Sequence, residues 1–308
     1  MALYGLFTGP GPSGFGWSST AEEVTAGLAL GGKTVLVTGC TAGLGRETLR
    51  VLSLRGAKVL GTARTLEKAK AACDAAGAGR AVPLACELSD PRSVRACAEE
   101  VQRRGERLDA IVCNAGIMAL PRPGRIHGVE LQLFTNHVGH FLLVTSLLDA
   151  LAEDGRVVVV SSEAHRRAPR GGILFDDLGA ERSYSPWGHY GQSKLANILF
   201  ARELARRLAG SRRTANALHP GVIKTELSRH MPALAKLAFA LAGPIALKTV
   251  AQGAATETFL AVHPSVATAT GAYWVDCNRA PAREDADDPA LASRLWDVTE
   301  QIVARLPR

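Results

Sequence analysis

A chain of 308 residues, 47% hydrophobic and 21% charged, can bury a large core and contains no disordered or low-complexity tract. Its net charge of +7 is spread through pairs such as Arg103-Arg104, Arg166-Arg167, Arg206-Arg207 and Arg212-Arg213, without a long run or interleaved aromatics, so no nucleic-acid partner is expected. The six cysteines (Cys40, Cys73, Cys86, Cys97, Cys113, Cys277) show no Cys-x-x-Cys or Cys/His spacing; neither a metal site nor a disulfide framework is expected, and a reducing, cytoplasmic setting fits.

Residues 1–32 read as an N-terminal extension: a Gly/Pro start without a signal-like apolar core, then a short helix for which Ser19 and Glu22 offer a capping box. From Lys33 the pattern is strand, turn, helix, repeated. Apolar runs at about 33–38, 57–62, 81–86, 108–113, 155–161 and 214–218 alternate with helical periodicity at about 43–55, 66–76, 91–104, 129–151, 188–209 and 248–262. Such alternation predicts an α/β fold, a Rossmann-like, doubly wound parallel sheet of about seven strands in a single domain over 33–280, followed by a helical tail over 281–308. The segment Met231 to Leu247 is apolar but carries Pro232, Lys236 and Pro244, which argues against a spanning helix and leaves a peripheral membrane contact open.

The first strand runs into Thr38-Gly39-Cys40-Thr41-Ala42-Gly43-Leu44-Gly45-Arg46 and then a helix. Glycines in that context permit a tight turn and close approach to a pyrophosphate, while the helix N-terminus offers N–H groups to an anion; Gly39, Thr41, Gly43, Leu44 and Gly45 are therefore candidate cofactor contacts. After the second strand stands Gly61-Thr62-Ala63-Arg64-Thr65. A carboxylate there would bind a ribose 2′-hydroxyl; its absence, with Arg64 present to meet a 2′-phosphate, favours NADP(H) over NAD(H).

Tyr190 and Lys194, four apart, share a helix face. A unit charge about 4 Å from a phenol is worth roughly 4 kcal/mol at an effective dielectric of about 20, enough to lower its pKa by a few units and make it an acid–base group.

Together the glycine turn and the Tyr/Lys pair, in this order, resemble the short-chain dehydrogenase/reductase family over nearly all of 33–280. The similarity is greatest to its retinol dehydrogenase and WW-domain oxidoreductase branch, carried by Thr135-Asn136-His137-Val138-Gly139-His140-Phe141, Ser161-Ser162-Glu163-Ala164-His165, Tyr190 through Asn197, and His219-Pro220-Gly221-Val222-Ile223-Lys224-Thr225. Residues Ser19 to Thr25 also resemble a plant chloroplast-envelope member of that branch.

The resemblance implies a catalytic tetrad at Asn136, Ser162, Tyr190 and Lys194, in which Tyr190 protonates a carbonyl oxygen, Ser162 holds that oxygen, Lys194 lowers the phenol pKa and binds ribose, and Asn136 holds a water. Further cofactor contacts implied by the resemblance transfer to Glu87, Leu88, Asn114, Ala115, Gly116, Tyr190 and Lys194, and to Pro220, Gly221, Ile223 and Thr225, the segment that would meet the nicotinamide carboxamide. Three positions depart from the pattern: Cys113 replaces an asparagine, Glu87 an aspartate, and Ala42 an often basic residue, with Arg46 one turn later. The stretch of about thirty residues between Ser162 and Tyr190 is expected to rim the substrate mouth, and about 227–247 to form an apolar lid.

The expected function is NADP(H)-dependent interconversion of a carbonyl and an alcohol on a small lipophilic substrate such as a retinoid, steroid or aldehyde. Two alternatives stay open. One is carbon–carbon double-bond reduction, because protochlorophyllide reductases share the Tyr/Lys architecture and a cysteine like Cys113, although an alanine is usual where Gly116 stands; the other is a nucleotide-sensing interaction protein. The helices at about 129–151 and 188–209 are left to pair across a homodimer or to face solvent.

Overall fold

The computed structural model describes residues 9–77, 79–223 and 247–307. Its strands are β1 (Thr34–Val37), β2 (Lys58–Ala63), β3 (Ala81–Ala85), β4 (Leu108–Cys113), the hairpin β5 (Arg125–Ile126) and β6 (Val129–Glu130), β7 (Leu151–Val160), β8 (Thr214–His219), β9 (Tyr273–Val275) and β10 (Asn278–Arg279). One eight-stranded sheet has the order β10-β9-β8-β7-β4-β1-β2-β3, in which only β10 runs antiparallel to its neighbour.

Side chains alternate across the sheet, and both sides are apolar. Leu36, Leu60, Ile111 and Val157 enter one core, while Val35, Val59, Ala110 and Val158 enter the other. Helices α1 (Gly43–Leu54), α2 (Leu66–Ala76) and α6 (Ala255–Val262) cover the second core; α3 (Pro91–Arg103), α4 (Gly139–Ser146), α5 (Pro186–Arg207) and α7 (Pro289–Arg305) cover the first. Their starts follow the local chemistry: Asp90 and Ser185 cap α3 and α5, each followed by a proline that needs no intrahelical donor. Because the chain leaves β3 at one edge and returns to pair β4 with β1, the carboxyl ends of β1 and β4 diverge and open a crevice.

Four expectations need correction. The capping box is made by Thr20 and Glu23 (Thr20 N to Glu23 Oε2, 2.8 Å; Glu23 N to Thr20 Oγ1, 3.2 Å), because Ser19 Oγ is engaged by Gly16 N at 3.0 Å and Glu22 pairs with Arg50. The helix expected at about 129–151 begins at Leu131, passes through a π-helical turn at Phe134–Val138, and ends at Ser146; Val129 and Glu130 belong to the hairpin, and β7 starts at Leu151. The helix expected at about 248–262 starts at Val250, where Thr249 and Gln252 form a capping box, and is interrupted at Ala254 before α6. Short β9 and β10, absent from the sequence reading, complete the sheet.

Over the helical pair that was left to solvent or a second copy lies the chain's own α7. Trp296 stacks 5.8 Å from Phe200 and lies edge-on 4.7 Å from Phe141, while Thr299 hydrogen-bonds His137 at 3.0 Å. Burial of each such aromatic contributes about 1.5–3 kcal/mol. At these residues the helices therefore face neither solvent nor another copy. Among the described residues no helix is long and apolar enough to cross a membrane.

Candidate active site

The glycine turn sits at the carboxyl end of β1, where Gly39 has φ 76° and Gly43 φ 60°, backbone regions that favour glycine. A side chain at Gly45 would bring Cβ within 2.4 Å of Asn114 Nδ2 and 2.5 Å of the Gly39 carbonyl oxygen, so the turn and the segment after β4 meet without room for another atom. Ala42 precedes α1 with no side-chain cap, which leaves the first-turn N–H groups of a 12-residue helix facing the crevice for an anion. Thr41 and Ala42 are exposed and Leu44 is half-buried. Arg64 and Arg46 are both exposed, Arg64 between β2 and the Thr65 cap of α2 and Arg46 on the first turn of α1.

Asn114 and Ala115 are fixed by Thr38. Its Oγ1 accepts from Asn114 N at 2.9 Å and Ala115 N at 3.0 Å, and Asn114 Nδ2 donates to the Thr38 carbonyl at 2.7 Å. With both lone pairs used, the Thr38 hydroxyl donates to His140 Nε2, 2.9 Å away, and His140 Nδ1–H donates to the Asn136 carbonyl at 3.0 Å. This chain requires a neutral imidazole, and burial holds His140 down at about 4. The spacing of His140 four after Asn136 on one helix is the sequence signal for this link.

Asn136 occupies the π-helical turn, an irregularity that re-aims a side chain within a helix. Its Oδ1 accepts from Ile117 N at 2.8 Å, and its Nδ2 donates to the Ile117 carbonyl and Ser193 Oγ, each at 2.9 Å. Both side-chain donors are thus committed within the protein, so the water-holding role expected of this amide is restricted to an acceptor. A Cβ on Gly116 would lie 3.0 Å from Asn136 Oδ1 and 3.5 Å from Lys194 Nζ, which places these three residues together.

The tyrosine helix α5 reaches the crevice because Gly191 lets it press on the 3-10 turn Glu163–Arg167: a Cβ there would be 2.5 Å from the Ala164 carbonyl. That contact brings Ser162, the N-cap of the turn, next to Tyr190, where its hydroxyl acts to lower the phenol's pKa. Ser161 is otherwise engaged, donating to the Lys194 carbonyl at 2.7 Å. Lys194 is buried, donates to the Val160 carbonyl at 2.9 Å, and holds its ammonium 5.8 Å from the centre of the Tyr190 ring.

One electrostatic expectation is reversed. Tyr190 is pushed up to about 12 by burial, with only the Ser162 hydrogen bond opposing it, rather than drawn down by Lys194. Lys194 is itself lowered to about 8 by burial, so desolvation dominates both groups and keeps the phenol protonated at neutral pH.

At the far side of the crevice, Pro220, Gly221 and Ile223 follow β8, and a Cβ on Gly253 would touch Ile223 Cδ1 at 2.4 Å and Leu44 Cδ2 at 2.7 Å, so this segment closes against the glycine turn. Leu88 is buried, its carbonyl against Gly139, while Glu87 accepts from Ser89 Oγ at 2.7 Å and Ser89 N at 3.1 Å. Thr225 and the expected lid, except Leu247, lie outside the described residues. Cys113 is buried at the end of β4 and its thiol is pushed up by desolvation, which fits a packing role.

The short chain dehydrogenase profile matches residues 33–175. Mouse retinol dehydrogenase 14 is 41% identical over 293 residues, covering 89% of this chain and 87% of its own. Short-chain dehydrogenase TIC 32 B, chloroplastic, of Brassica napus is 39% identical over the whole of both chains. Among solved structures, an uncharacterized protein from Mycobacterium paratuberculosis aligns with TM-score 0.75 at 33% identity, covering 95% of this chain and 100% of that one. A short-chain dehydrogenase from Burkholderia cenocepacia in complex with NADP aligns with TM-score 0.64 at 26% identity over 80% of this chain and 96% of that one. On this similarity, carried by full-length relatives and matched by the fold, the chain belongs to the short-chain dehydrogenase/reductase family.

Proposed function

We propose that the protein is an NADP(H)-dependent oxidoreductase that interconverts a carbonyl and an alcohol on a small lipophilic substrate. The observation that carries this reading is the convergence of Ser162, Tyr190, Lys194 and Asn136 at the mouth of the crevice whose floor is the uncapped N-terminus of α1. The crevice fits a dinucleotide: free helix N–H groups and Gly39, Gly43 and Gly45 for the pyrophosphate, Arg64 without a neighbouring acid after β2 for a 2′-phosphate, and Gly116, Pro220, Gly221 and Ile223 along the rest. When bound, the nicotinamide supplies the hydride.

The protein's own part is proton supply and orientation. Tyr190, protonated because burial raises it to about 12, donates its Oη–H to the carbonyl oxygen as negative charge develops there, and the Ser162 hydroxyl holds that oxygen. Lys194 supplies positive charge beside the phenol and stabilises it once the proton has left. Asn136 holds Ile117 and Ser193 in place, while Thr38 and His140 tie the glycine turn to the π-helical turn. Retinol dehydrogenase relatives at about 40% identity support a lipophilic substrate, as does the half-buried Trp187 edge-on to Tyr190 at 6.0 Å. Six buried free thiols support a reducing, cytoplasmic compartment.

NADPH oxidation with a panel of retinal, steroid ketones and alkyl aldehydes tests the reading. Steady turnover on at least one carbonyl is expected. Tight NADPH binding with no turnover on any of them, or turnover only with a conjugated carbon–carbon double bond, would overturn it.

A further inference from the structure

We infer that Lys248 is a positioning residue for the nicotinamide end of the cofactor crevice, held by Asp276 and by Trp17 of the N-terminal extension. The inference rests on the cofactor assignment just proposed. Lys248 has a relative exposure of 2%, and its ammonium pairs with Asp276 Oδ1 at 2.5 Å. A buried ammonium is costly unless paired, so this ion pair fixes where the side chain lies. The same ammonium stands 5.9 Å from the centre of the Trp17 ring.

What Lys248 fixes in turn is the segment after β8. Its backbone forms a parallel bridge with Ile223, and its N–H donates to the Val222 carbonyl at 2.9 Å. Its side chain lies so close to Gly221 that a Cβ there would be 2.6 Å from Lys248 Cδ, and Gly221 has φ 94°, a conformation strained for any other residue. Lys248 thus grips Gly221, Val222 and Ile223 at once, and Ile223 abuts the glycine turn across Gly253 and Leu44.

The partner of Lys248 is presented under strain. Asp276 (φ 53°) and Cys277 (φ 62°) are consecutive non-glycine residues in the left-handed region, in the turn joining β9 and β10. Each such residue costs on the order of 1–3 kcal/mol and persists only where its surroundings over-determine it. Here the Cys277 N–H donates to Thr256 Oγ1 at 3.1 Å, and Asn278 Nδ2 donates both to the Asp276 carbonyl at 2.7 Å and to the Phe15 carbonyl at 2.9 Å. Ser13 N returns a bond to Asn278 Oδ1 at 3.0 Å. The N-terminal extension and the C-terminal hairpin are therefore joined to each other and, through Lys248, to the Pro220–Ile223 segment.

The test compares two ligands by titration calorimetry, NADPH and 2′-phospho-ADP-ribose, which lacks the nicotinamide. Lys248→Met should raise the Kd of NADPH about tenfold while leaving that of 2′-phospho-ADP-ribose within about twofold, because only one end of the crevice is misplaced. Asp276→Asn, nearly isosteric and less disruptive to folding, should give the same asymmetry, and the double variant should be no worse than Lys248→Met because the two act as one unit. Equal weakening of both ligands, or no weakening of either, in the Asp276→Asn protein would overturn the inference. A wild-type protein that binds neither ligand instead removes the proposed cofactor, a failure visible before any variant is made.

Discussion

The two ends of the crevice are built in different ways. The end proposed to hold the pyrophosphate is mostly local: β1, its turn and α1 are consecutive, and Asn114 and Ala115, which brace the turn through Thr38, directly follow the adjacent strand β4. The Pro220–Ile223 end is assembled from Lys248, Asp276 and Trp17, which lie far apart in the chain. Glycine packing sets the first; a buried ion pair and a strained turn set the second. A motif can encode the first within a dozen residues, whereas the second needs the whole chain folded.

The comparison breaks most easily at the local end. Gly45→Ala puts a methyl group where Asn114 Nδ2 and the Gly39 carbonyl already stand, with no flexible backbone to yield. NADPH affinity, read by fluorescence titration, should fall by about a hundredfold or more, because displacing the turn by an ångström misaligns every phosphate contact. Unchanged affinity would show that the turn is looser than its packing implies.

Glu257 is buried on α6, with Oε1 accepting from Thr48 on α1 and Oε2 without a partner among the described residues. Burial raises it from 4.5 to about 7, so between those values the folded protein holds a proton that the unfolded chain has lost. Its contribution to stability is present below about pH 4.5 and disappears as pH rises through about 7. Glu257→Gln keeps the Thr48 contact and removes this loss. Relative to wild type, the variant should gain on the order of 3 kcal/mol of stability on passing from the acid to the alkaline side, measured by urea unfolding at each pH. Parallel pH profiles for the two proteins would place the carboxyl in a wetter setting than its burial indicates.

A smaller effect is expected at the exposed Arg64, where solvent screens the charge. Arg64→Asp should reduce the preference for NADPH over NADH about tenfold, since it replaces a bidentate phosphate ligand by a repelling carboxylate. An unchanged ratio of the two Kd values would remove the NADP assignment while leaving the nicotinamide one intact.

Six of the eight strands through β8, all but the hairpin β5–β6, and the principal helices were legible because short continuous apolar runs and helical faces are local signals, and the ordered motifs around Gly39, Ser162 and Tyr190 lie at the ends of those strands and helices. What escaped depends on distance or on departures from regularity. Strands β9 and β10 span three and two residues, too short for a periodicity to register. Nothing in the sequence near Asn136 announces the π-helical turn, and the cap shifted from Ser19 to Thr20 because the chain before it claimed the Ser19 hydroxyl. The phenol of Tyr190 was expected to be acidic on the strength of one neighbour; its high pKa comes from the whole shell that excludes water, which no spacing reveals. For the same reason Lys248, read only as the start of a helix, gave no sign of its buried pairing with Asp276.

On the proposed reading Tyr190 supplies the proton at a site whose hold on the cofactor survives loss of the phenol hydroxyl. That reading is tested most directly by measuring carbonyl-dependent NADPH oxidation and NADPH binding side by side in Tyr190→Phe. The expected result is kcat/KM reduced by at least about a hundredfold, with the Kd of NADPH within about twofold of wild type because a single hydroxyl adds little beside the glycine turn and Arg64. A Tyr190→Phe protein that turns over at the wild-type rate would contradict it.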